Sequence, residues 1–571
     1  MKMLHKINSS FAWKMCLCLI GCFILGLCMN QYKLSMPIYT GITAVFFAVF
    51  LIGYYFAVNR WKERKTFFLL ILLNTILFFI AFIFFKELVL VFSDFSILLQ
   101  VGIAVSISMI VATETVFVSI SYRKGKIRIG EVVYLIIYLS FLFRAMYALF
   151  NPIGNVSRQH DTIVFTNGGG HLGYIWYIWA YGKIPSVDPR TLWEFYQPPF
   201  YYLICGYWVK IYTFLRVPAL EAAENIQLFS LFCVTGTAIA LDEIIRIMGG
   251  KRQRILAAIM FALCPLFTYL AGSVNNDSLL LLLFFLSVYT IILWYERETL
   301  RLLIIAAVCT GLTVMTKISG SLIAVPILFL FVMKLITKKD LKKLWQYILF
   351  GLISVPIGLW WNLRNTLRFQ MPFVYFHEAS RESVQFIPNY SVSQRFFDLK
   401  GQLNHPYIEI LNSNKDVDHN IFVSTLKTTV FTSSSDVMIS IVTQIIGWIL
   451  LILTIIVLVW MVIDYFFSIF RSLKKRNDLM KMEYCMVWIL TVFSQVGFYL
   501  YFNLAHTFVH NMHARYIMPA IVSLIILWSF MEHFNDNKVK KTNRIIQIGM
   551  VFYGSVLVSF IMLISLMTCK V

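Results

Sequence analysis

Charged residues are scarce in this chain: they make up 13% of its 571 residues, whereas 59% are hydrophobic. A soluble protein of this length needs more charge to cover its surface, so the composition excludes a soluble globular fold. Apolar runs of about 18–25 residues recur along the chain, the length that crosses a hydrocarbon core about 30 Å thick. Because lipid offers the backbone no hydrogen-bond partner, these runs predict membrane-spanning helices.

Other familiar signals are also missing. The ten cysteines include no CxxC pair and four of them lie in the first apolar run, which argues against a metal or disulfide framework. The first run, 11–29, is followed by Asn-Gln-Tyr-Lys rather than by a small-residue cleavage site, so we expect a retained span and not a removable signal peptide. Alternating patterns of the barrel type, internal repeats and a soluble domain are absent from the sequence.

The net charge of +21 does not indicate nucleic-acid binding, because no basic domain stands outside the apolar runs. Lysine and arginine concentrate instead in short loops, where positive charge marks the cytoplasmic side of a membrane. Placing these loops in the cytoplasm predicts an all-α polytopic bundle of about 15 spans, with the N-terminus inside and the C-terminus outside. The basic loops are 59–65, 123–128, 246–254, 334–343, 471–481 and 538–544.

The segment 196–215 is apolar enough to span but fits this topology poorly. A crossing there would move the basic loop 246–254 to the outside. Its eight aromatic residues are typical of a helix in the membrane interface, which is the reading we favour over a miscounted pair of later spans.

Polar residues gather on the side predicted to be external, the extracellular or periplasmic face of the plasma membrane. Two long polar loops, 151–195 and 363–438, and a shorter one, 503–514, contain eight of the ten histidines. In the first loop, Asp161 precedes a Gly-Gly-Gly turn and an aromatic stretch, 171–181, that predicts a helix at the headgroup level. A carboxylate held there could accept a proton from a hydroxyl group, although a loop aspartate more often caps or solvates the loop.

Several motifs, taken in order, resemble the C-type glycosyltransferase superfamily, in particular its bacterial branch related to protein O-mannosyltransferases and to the lipid A aminoarabinose transferase. The resemblance covers residues 131–530, leaving an N-terminal extension of four predicted spans, 1–130, and a C-terminal span within 531–571. The motifs are the first-loop Asp161, HxGYIxYxxxxGKIP, YQPPFYY, CPLFTYLAGSVNNDSL, GLTVMTKISG, WWNLRN and HARYIMP.

The resemblance implies a C-type helical bundle in which Asp161 is the catalytic carboxylate. It also implies an inverting transfer from a polyprenyl-phosphate sugar to an acceptor hydroxyl on a lipid, an envelope glycan or a protein. The chain departs from its relatives in two places. His160 and Thr162 flank Asp161 where many relatives have an Asp-Glu pair, and Gln197 replaces a lysine expected to contact the donor phosphate.

Negative charge builds up on the departing phosphate, so the site needs cations, and Lys317, Arg364 and Arg515 are the candidates. Each has a structural alternative. Lys317 interrupts an apolar region, where an unpartnered charge costs about 2.5 kcal/mol or more, but its amine could reach the interface. Arg364 could be an aromatic-belt anchor, and Arg515 begins a span on the side where arginine is less expected.

The remaining candidates are polar residues near these cations. Asn276 and Asp277 either form a helix-joining turn or add a second acidic group to the site. Arg144, inside a span, predicts either an ion pair, with Asp161 as one possible partner, or a guanidinium group that reaches up to the membrane interface. We assign substrate binding to His160, His171, Tyr196, Gln197, Asn276 and Asp277.

A metal site and other functions stay open. His506, His510 and His513 could share one helical face and hold a metal, and some relatives use a divalent cation whereas others do not. The alternatives to the enzyme are a transporter or flippase, which would show pseudo-symmetric halves, and a polysaccharide polymerase or ligase, which would centre on the loop 363–438.

Overall fold

The computed structural model describes residues 2–29, 65–91, 95–153, 164–338, 343–377, 386–387, 390–408, 418–431, 440–475, 481–530 and 540–568. These residues form helices joined by turns, and within them the only strand-like pairing is an isolated bridge between Phe386 and Phe508. The all-α class predicted from the apolar runs is confirmed.

The first ten helices carry most of the core. They are α1 (Lys2–Met29), α2 (Lys65–Val91), α3 (Ile97–Arg123), α4 (Ile129–Leu149), α5 (Gly170–Tyr181), α6 (Phe200–Phe214), α7 (Ala219–Glu224), α8 (Ile226–Ile247), α9 (Gln253–Leu263) and α10 (Pro265–Ala271).

The second ten are α11 (Asp277–Arg297), α12 (Leu300–Thr316), α13 (Ala324–Lys338), α14 (Leu344–Phe369), α15 (Val392–Phe397), α16 (Ile421–Val430), α17 (Ile441–Lys475), α18 (Met482–Ala505), α19 (Met518–Ser529) and α20 (Lys540–Thr568). Short 3-10 turns lie at Pro189–Thr191, Ile318–Ile323, Val509–Met512 and Ala514–Ile517.

The core is built around α8, which is buried along its whole apolar length and contacts α1, α4, α10 and α11. Helix α11 in turn packs against α12, and α12 packs against α14. The outer helix α3 is mostly exposed and contacts α20, as expected for a helix whose apolar side chains meet lipid.

Within the described residues, ten helices are long and apolar enough to cross a membrane, or eleven if α9 and α10, bent by 65°, form one broken span. Shorter apolar helices include 11–27, α12 and the segment 514–529. The predicted total of about 15 stays a prediction, and the predicted span 38–58 lies outside the described residues. Helix α6, within the doubtful segment 196–215, has 15 residues and is too short to cross the core unaided.

Part of the basic loop 246–254 is held by buried acids on α8. Arg254 forms an ion pair of 2.6 Å with Asp242, while Glu243 pairs with Arg246 and, at 2.8 Å, with Lys14 of α1. Since Asp242 and Glu243 are buried, these contacts tie the N-terminal helix to the core.

The ends of several helices, rather than their faces, meet near the predicted polar site residues. Helix α11 begins at Asp277, α12 ends at Thr316, and the chain passes through Lys317 in an extended conformation into a 3-10 turn. Helix α18 ends at Ala505, and two 3-10 turns separate it from α19.

The predicted shared face of His506, His510 and His513 is therefore wrong. His506 is the C-cap of α18, His510 lies in a 3-10 turn and His513 is extended, so no continuous helix carries all three.

Candidate functional site

A cleft opens where these helix ends meet. Its lining combines amide, aromatic and charged side chains, the composition expected of a polar ligand site. The lining residues are His171, Trp193, Glu194, Tyr196, Gln197, Pro198, Asn275, Asn276, Lys317, Ile318, Ser319, Asn362, Tyr375, Phe376, His377, Phe498, Tyr499, Phe502, His510, Asn511, Arg515 and Tyr516.

Two cations of the cleft share one carboxylate. Lys317 Nζ lies 2.7 Å from Asp277 Oδ1, and Arg515 Nε lies 4.0 Å from Asp277 Oδ2. The Asp277 side chain is 2% exposed, and those of Lys317 and Arg515 are 13% and 11% exposed. The three groups together carry a net charge of +1, so this part of the cleft attracts an anion.

The Asn-Asn-Asp sequence sets this geometry through its backbone. Asn275 Oδ1 accepts a hydrogen bond from the Asp277 amide at 2.8 Å, which fixes the start of α11. Asn276 does not cap the helix with its side chain but donates to the carbonyl of Thr316 at 3.3 Å. This bond ties the start of α11 to the end of α12, where Lys317 follows.

Tyr516 packs against both cations. Its ring centroid lies 4.8 Å from Lys317 Nζ and 5.1 Å from the Arg515 guanidinium carbon. Arg515 Nη2 also donates to the Tyr516 hydroxyl at 3.1 Å. These contacts restrict the two long side chains, so that less conformational entropy is lost when an anion binds.

Aromatic rings line another part of the cleft. His377 meets Trp193 edge-on at 4.8 Å between centroids and stacks on Tyr196 at 6.3 Å, while Tyr375 meets Tyr196 at 5.8 Å. Burial lowers the pKa of His377 from its ordinary value, so the ring is neutral at pH 7. Trp361 of α14 donates to the Tyr196 carbonyl at 3.1 Å and so fixes this segment to the bundle.

His171, in the first turn of α5, joins the cleft to the buried face of α6. Its Nδ1 lies 2.9 Å from the Tyr202 hydroxyl, and the Tyr202 ring stacks on Tyr174 at 4.0 Å. The aromatic stretch 171–181 is helical from Gly170 to Tyr181, as predicted.

Six of the residues predicted to bind the donor phosphate or the substrate line the cleft. Lys317, Arg515, His171, Tyr196, Gln197 and Asn276 are among the lining residues, and Asp277 lies beneath them in a smaller adjoining cavity. His160 and Asp161 lie outside the described residues.

Arg364 points elsewhere. Its Nη2 donates to the Pro185 carbonyl at 2.8 Å, and its guanidinium carbon lies 4.4 Å from the Trp361 ring centroid. This is the aromatic-anchor geometry given above as the alternative, and a phosphate role for Arg364 stays a prediction that gains no support from its position.

Arg144 is fully buried and bonds to the neighbouring helix. Its Nη2 donates to the Phe261 carbonyl at 2.8 Å and its guanidinium carbon lies 5.1 Å from the Phe261 ring centroid. Pairing with Asp161 remains outside what the described residues can test.

Sequence reasoning missed several lining residues. Glu194, Tyr375 and His377 lie in loops without a motif of their own, and Asn275 was noted only as part of a turn. The usable signal was Glu194, an isolated carboxylate two residues before YQPP. Within the described residues, no cluster of three or more His, Cys, Asp or Glu side chains is arranged to hold a metal.

Comparison with known proteins gives one family match. Residues 201–361 match the family of dolichyl-phosphate-mannose-protein mannosyltransferases, a segment that includes Asp277 and Lys317. The predicted resemblance to the C-type glycosyltransferases is thereby confirmed over this segment. A comparison with curated protein sequences gives no match.

The solved structures that are similar to this chain include two of ArnT. The crystal structure of ArnT from Cupriavidus metallidurans in the apo state is 13% identical, with a TM-score of 0.30, over 66% of this chain and 74% of that one. The structure of ArnT from the same organism bound to undecaprenyl phosphate is 14% identical, with a TM-score of 0.31, over 70% of this chain and 76% of that one.

Proposed function

We propose that this protein is a membrane glycosyltransferase that moves a sugar from a polyprenyl-phosphate donor to a hydroxyl acceptor on the external face of the plasma membrane. The acceptor hydroxyl belongs to a lipid, an envelope glycan or a protein. The observation that carries the proposal is the pair of cations, Lys317 and Arg515, held on one buried carboxylate in the wall of the cleft.

The two cations suit a departing lipid phosphate. As the glycosidic bond breaks, the phosphate oxygen gains negative charge, which fixed cations in a partly desolvated site stabilise without reorganisation. Gln197 is neutral at the position where many relatives have a lysine. The positive side chains of lysine and arginine that line the cleft are therefore those of Lys317 and Arg515. The family match over 201–361 favours the same phosphate-linked class of donor.

Asp161 acts as the base in this proposal. It accepts the proton of the acceptor hydroxyl while that oxygen attacks the anomeric carbon on the face opposite the departing phosphate, which inverts the configuration. The described chain that follows its segment, from Val164, leads into α5, where His171 lines the cleft. This connection supports a place for Asp161 near the cleft, and the resemblance supplies its role.

Asp161→Asn tests the mechanism. Purified full-length protein in lipid nanodiscs is given a polyprenyl-phosphate sugar and host membranes as acceptor, and the released polyprenyl phosphate is measured. We expect a loss of about 100-fold or more, because general-base catalysis contributes about 10²–10⁴ in rate.

Asp188→Asn is the matched control, since Asp188 lies in the same loop, pairs with Arg190 at 2.5 Å and is not a lining residue. Exposed pairs of this kind contribute little, so activity stays near that of the wild type. Full activity of a folded Asp161→Asn protein would show that the mechanism is wrong.

A further inference from the structure

Glu194 has a backbone conformation that glutamate rarely adopts. Its φ is +68°, in the left-handed region, and among the described residues three other non-glycine positions share a positive φ. Arg216, Glu298 and Gln370 stand at or just after the C-terminal ends of helices, where left-handed residues are usual. Glu194 follows no α-helix and is the exception.

The turn around Glu194 is one that favours glycine or asparagine. The Phe195 amide donates to the Leu192 carbonyl at 3.3 Å, which makes Glu194 the third residue of a four-residue turn. A positive φ at that position is normally supplied by glycine or asparagine. A strained residue that persists in a packed surround is typical of functional sites.

The surroundings hold this turn firmly. The Gly170 amide donates to the Trp193 carbonyl at 2.8 Å, and a Cβ on Gly169 would lie 3.0 Å from the Trp193 amide nitrogen. The Gln197 amide donates to the Glu194 carbonyl at 3.0 Å. Hydrogen bonds before and after Glu194 therefore fix its backbone, which restricts the positions that its carboxylate can adopt.

Glu194 is buried and is one of the residues that line the cleft, together with several aromatic residues. Glu194 is 5% exposed, Trp193 directly precedes it in the sequence, and Tyr196 follows two residues later. Burial and then the charge of Glu194 raise the pKa of the Tyr202 hydroxyl, so Tyr202 stays neutral beside it. Together with Tyr375 and His377, these groups give the cleft an aromatic wall that includes one carboxylate.

Such a wall is suited to a sugar ring, whose apolar face packs on aromatic rings while its hydroxyls donate to a carboxylate. We infer that Glu194 and the aromatic side chains Trp193, Tyr196, Tyr375 and His377 form the subsite for the glycosyl group, and that this subsite takes a sugar without an acidic group. The inference rests on the proposed function and narrows the class of sugar that the proposed donor carries. A uronic acid would bring a second carboxylate to a buried one, which like-charge repulsion disfavours.

The test compares three ligands on the purified full-length protein. They are a short-chain polyprenyl phosphate without sugar, the same lipid phosphate carrying a neutral hexose, and the same carrying a hexuronic acid. Affinity is read from the ligand-dependent rise in Tm, which needs no acceptor. For the wild type we expect the neutral glycolipid to bind more tightly than the sugar-free lipid, and the uronic acid form more weakly than the neutral one.

Glu194→Gln keeps the size of the side chain and removes its charge. We expect it to bind the sugar-free lipid as the wild type does and the neutral glycolipid about 10-fold more weakly, the loss of one hydrogen bond to a charged group. Its preference for the neutral over the uronic acid form should also fall about 10-fold.

Glu194→Gly separates strain from recognition. It should raise the Tm of the ligand-free protein while losing the glycosyl contribution to binding. Gln370→Gly is the matched control, because Gln370 has a φ of +53°, is exposed and is not a lining residue, so it should raise the Tm and leave binding unchanged.

The outcomes separate the two proposals. If Glu194→Gln binds all three ligands as the wild type does, or if the wild type prefers the uronic acid form, the glycosyl subsite is overturned and the proposed function stands. If none of the lipid phosphates raises the Tm of the wild type, the proposed function fails and the subsite fails with it.

Discussion

Asp277 has two roles that pull in different directions. Its carboxylate balances Lys317 and Arg515, which would otherwise repel each other at close range. It also competes with a ligand phosphate, because the phosphate would bind the same two cations. Residues of this kind trade stability of the empty site against affinity for the ligand.

The substitution Asp277→Asn tests both roles of this carboxylate. Breaking a largely buried ion pair leaves two cations uncompensated, so we expect the free energy of unfolding to fall by about 3 kcal/mol. Polyprenyl phosphate should then raise the Tm of the variant by more than it raises that of the wild type, because the phosphate takes the place of the missing carboxylate. Both values come from thermal unfolding with and without the lipid.

A second buried pair serves as the control. Asp418 Oδ1 lies 2.8 Å from Lys427 Nζ, and neither residue lines the cleft. Asp418→Asn should lower the stability by a similar amount and leave the effect of the lipid unchanged. An Asp277→Asn protein as stable as the wild type would contradict the role given to this pair.

Single residues were predictable from sequence where a charge interrupts an apolar run. Lys317 and Asp277 stood out because an unpartnered charge is costly among apolar side chains, and the structure pairs them. Glu194 and His377 did not stand out, because their loops are polar and only tertiary contacts bring them to the cleft. Arg364 stood at the end of a predicted span rather than inside one, and it packs on Trp361.

The start of helix α5 depends on a close approach between two backbone segments. A Cβ on Gly173 would lie 2.0 Å from the Gly168 carbonyl oxygen, well inside van der Waals contact. The Gly-Gly-Gly turn can therefore fold back on the first turn of α5 only because residue 173 has no side chain. This turn directs His171 toward the cleft and Gly169 against Trp193.

Gly173→Ala tests this element. The added methyl group must displace the turn or the helix, so we expect a loss of stability of about 1–3 kcal/mol and a clear loss of transferase activity. Gly497→Ala in α18 is the control, since a Cβ there meets nothing within 4 Å and alanine favours a helix. Equal stability and activity of the two variants would show that the turn does not position the site.

For the helices, the lengths of the apolar runs predicted well where helices lie but predicted poorly the residues at which they end. The runs near 97–120 and 226–245 are helices α3 and α8 within a few residues. The spacing of His506, His510 and His513 also fits a helix, but α18 stops at Ala505 and the chain turns to bring Arg515 back toward Asp277. The sequence spacing does not contain this tertiary contact.

Across the whole molecule, two separate groups of lysine and arginine side chains pair with buried acids. Lys14, Arg246 and Arg254 pair with the buried acids of α8, while Lys317 and Arg515 share Asp277 in the cleft. Arg246 and Arg254 belong to the loop 246–254, which is predicted to be cytoplasmic, and Lys317 and Arg515 belong to the site that is predicted to be external. The overall class was predictable because the composition alone requires a membrane environment. The cleft was not predictable, because its position depends on which helix ends meet in the folded protein.

The central claim is that this cleft consumes a polyprenyl-phosphate sugar, and mass spectrometry of cells tests it most directly. Envelope glycans and polyprenyl-linked sugars are compared between cells that make the wild-type protein and cells that make only Asp161→Asn. The account predicts that one defined sugar disappears from the envelope in the variant cells while its polyprenyl-phosphate form accumulates. A transporter or flippase that does not use Asp161 chemically would leave both pools unchanged, and identical glycan and lipid profiles in the two cell lines would contradict the account.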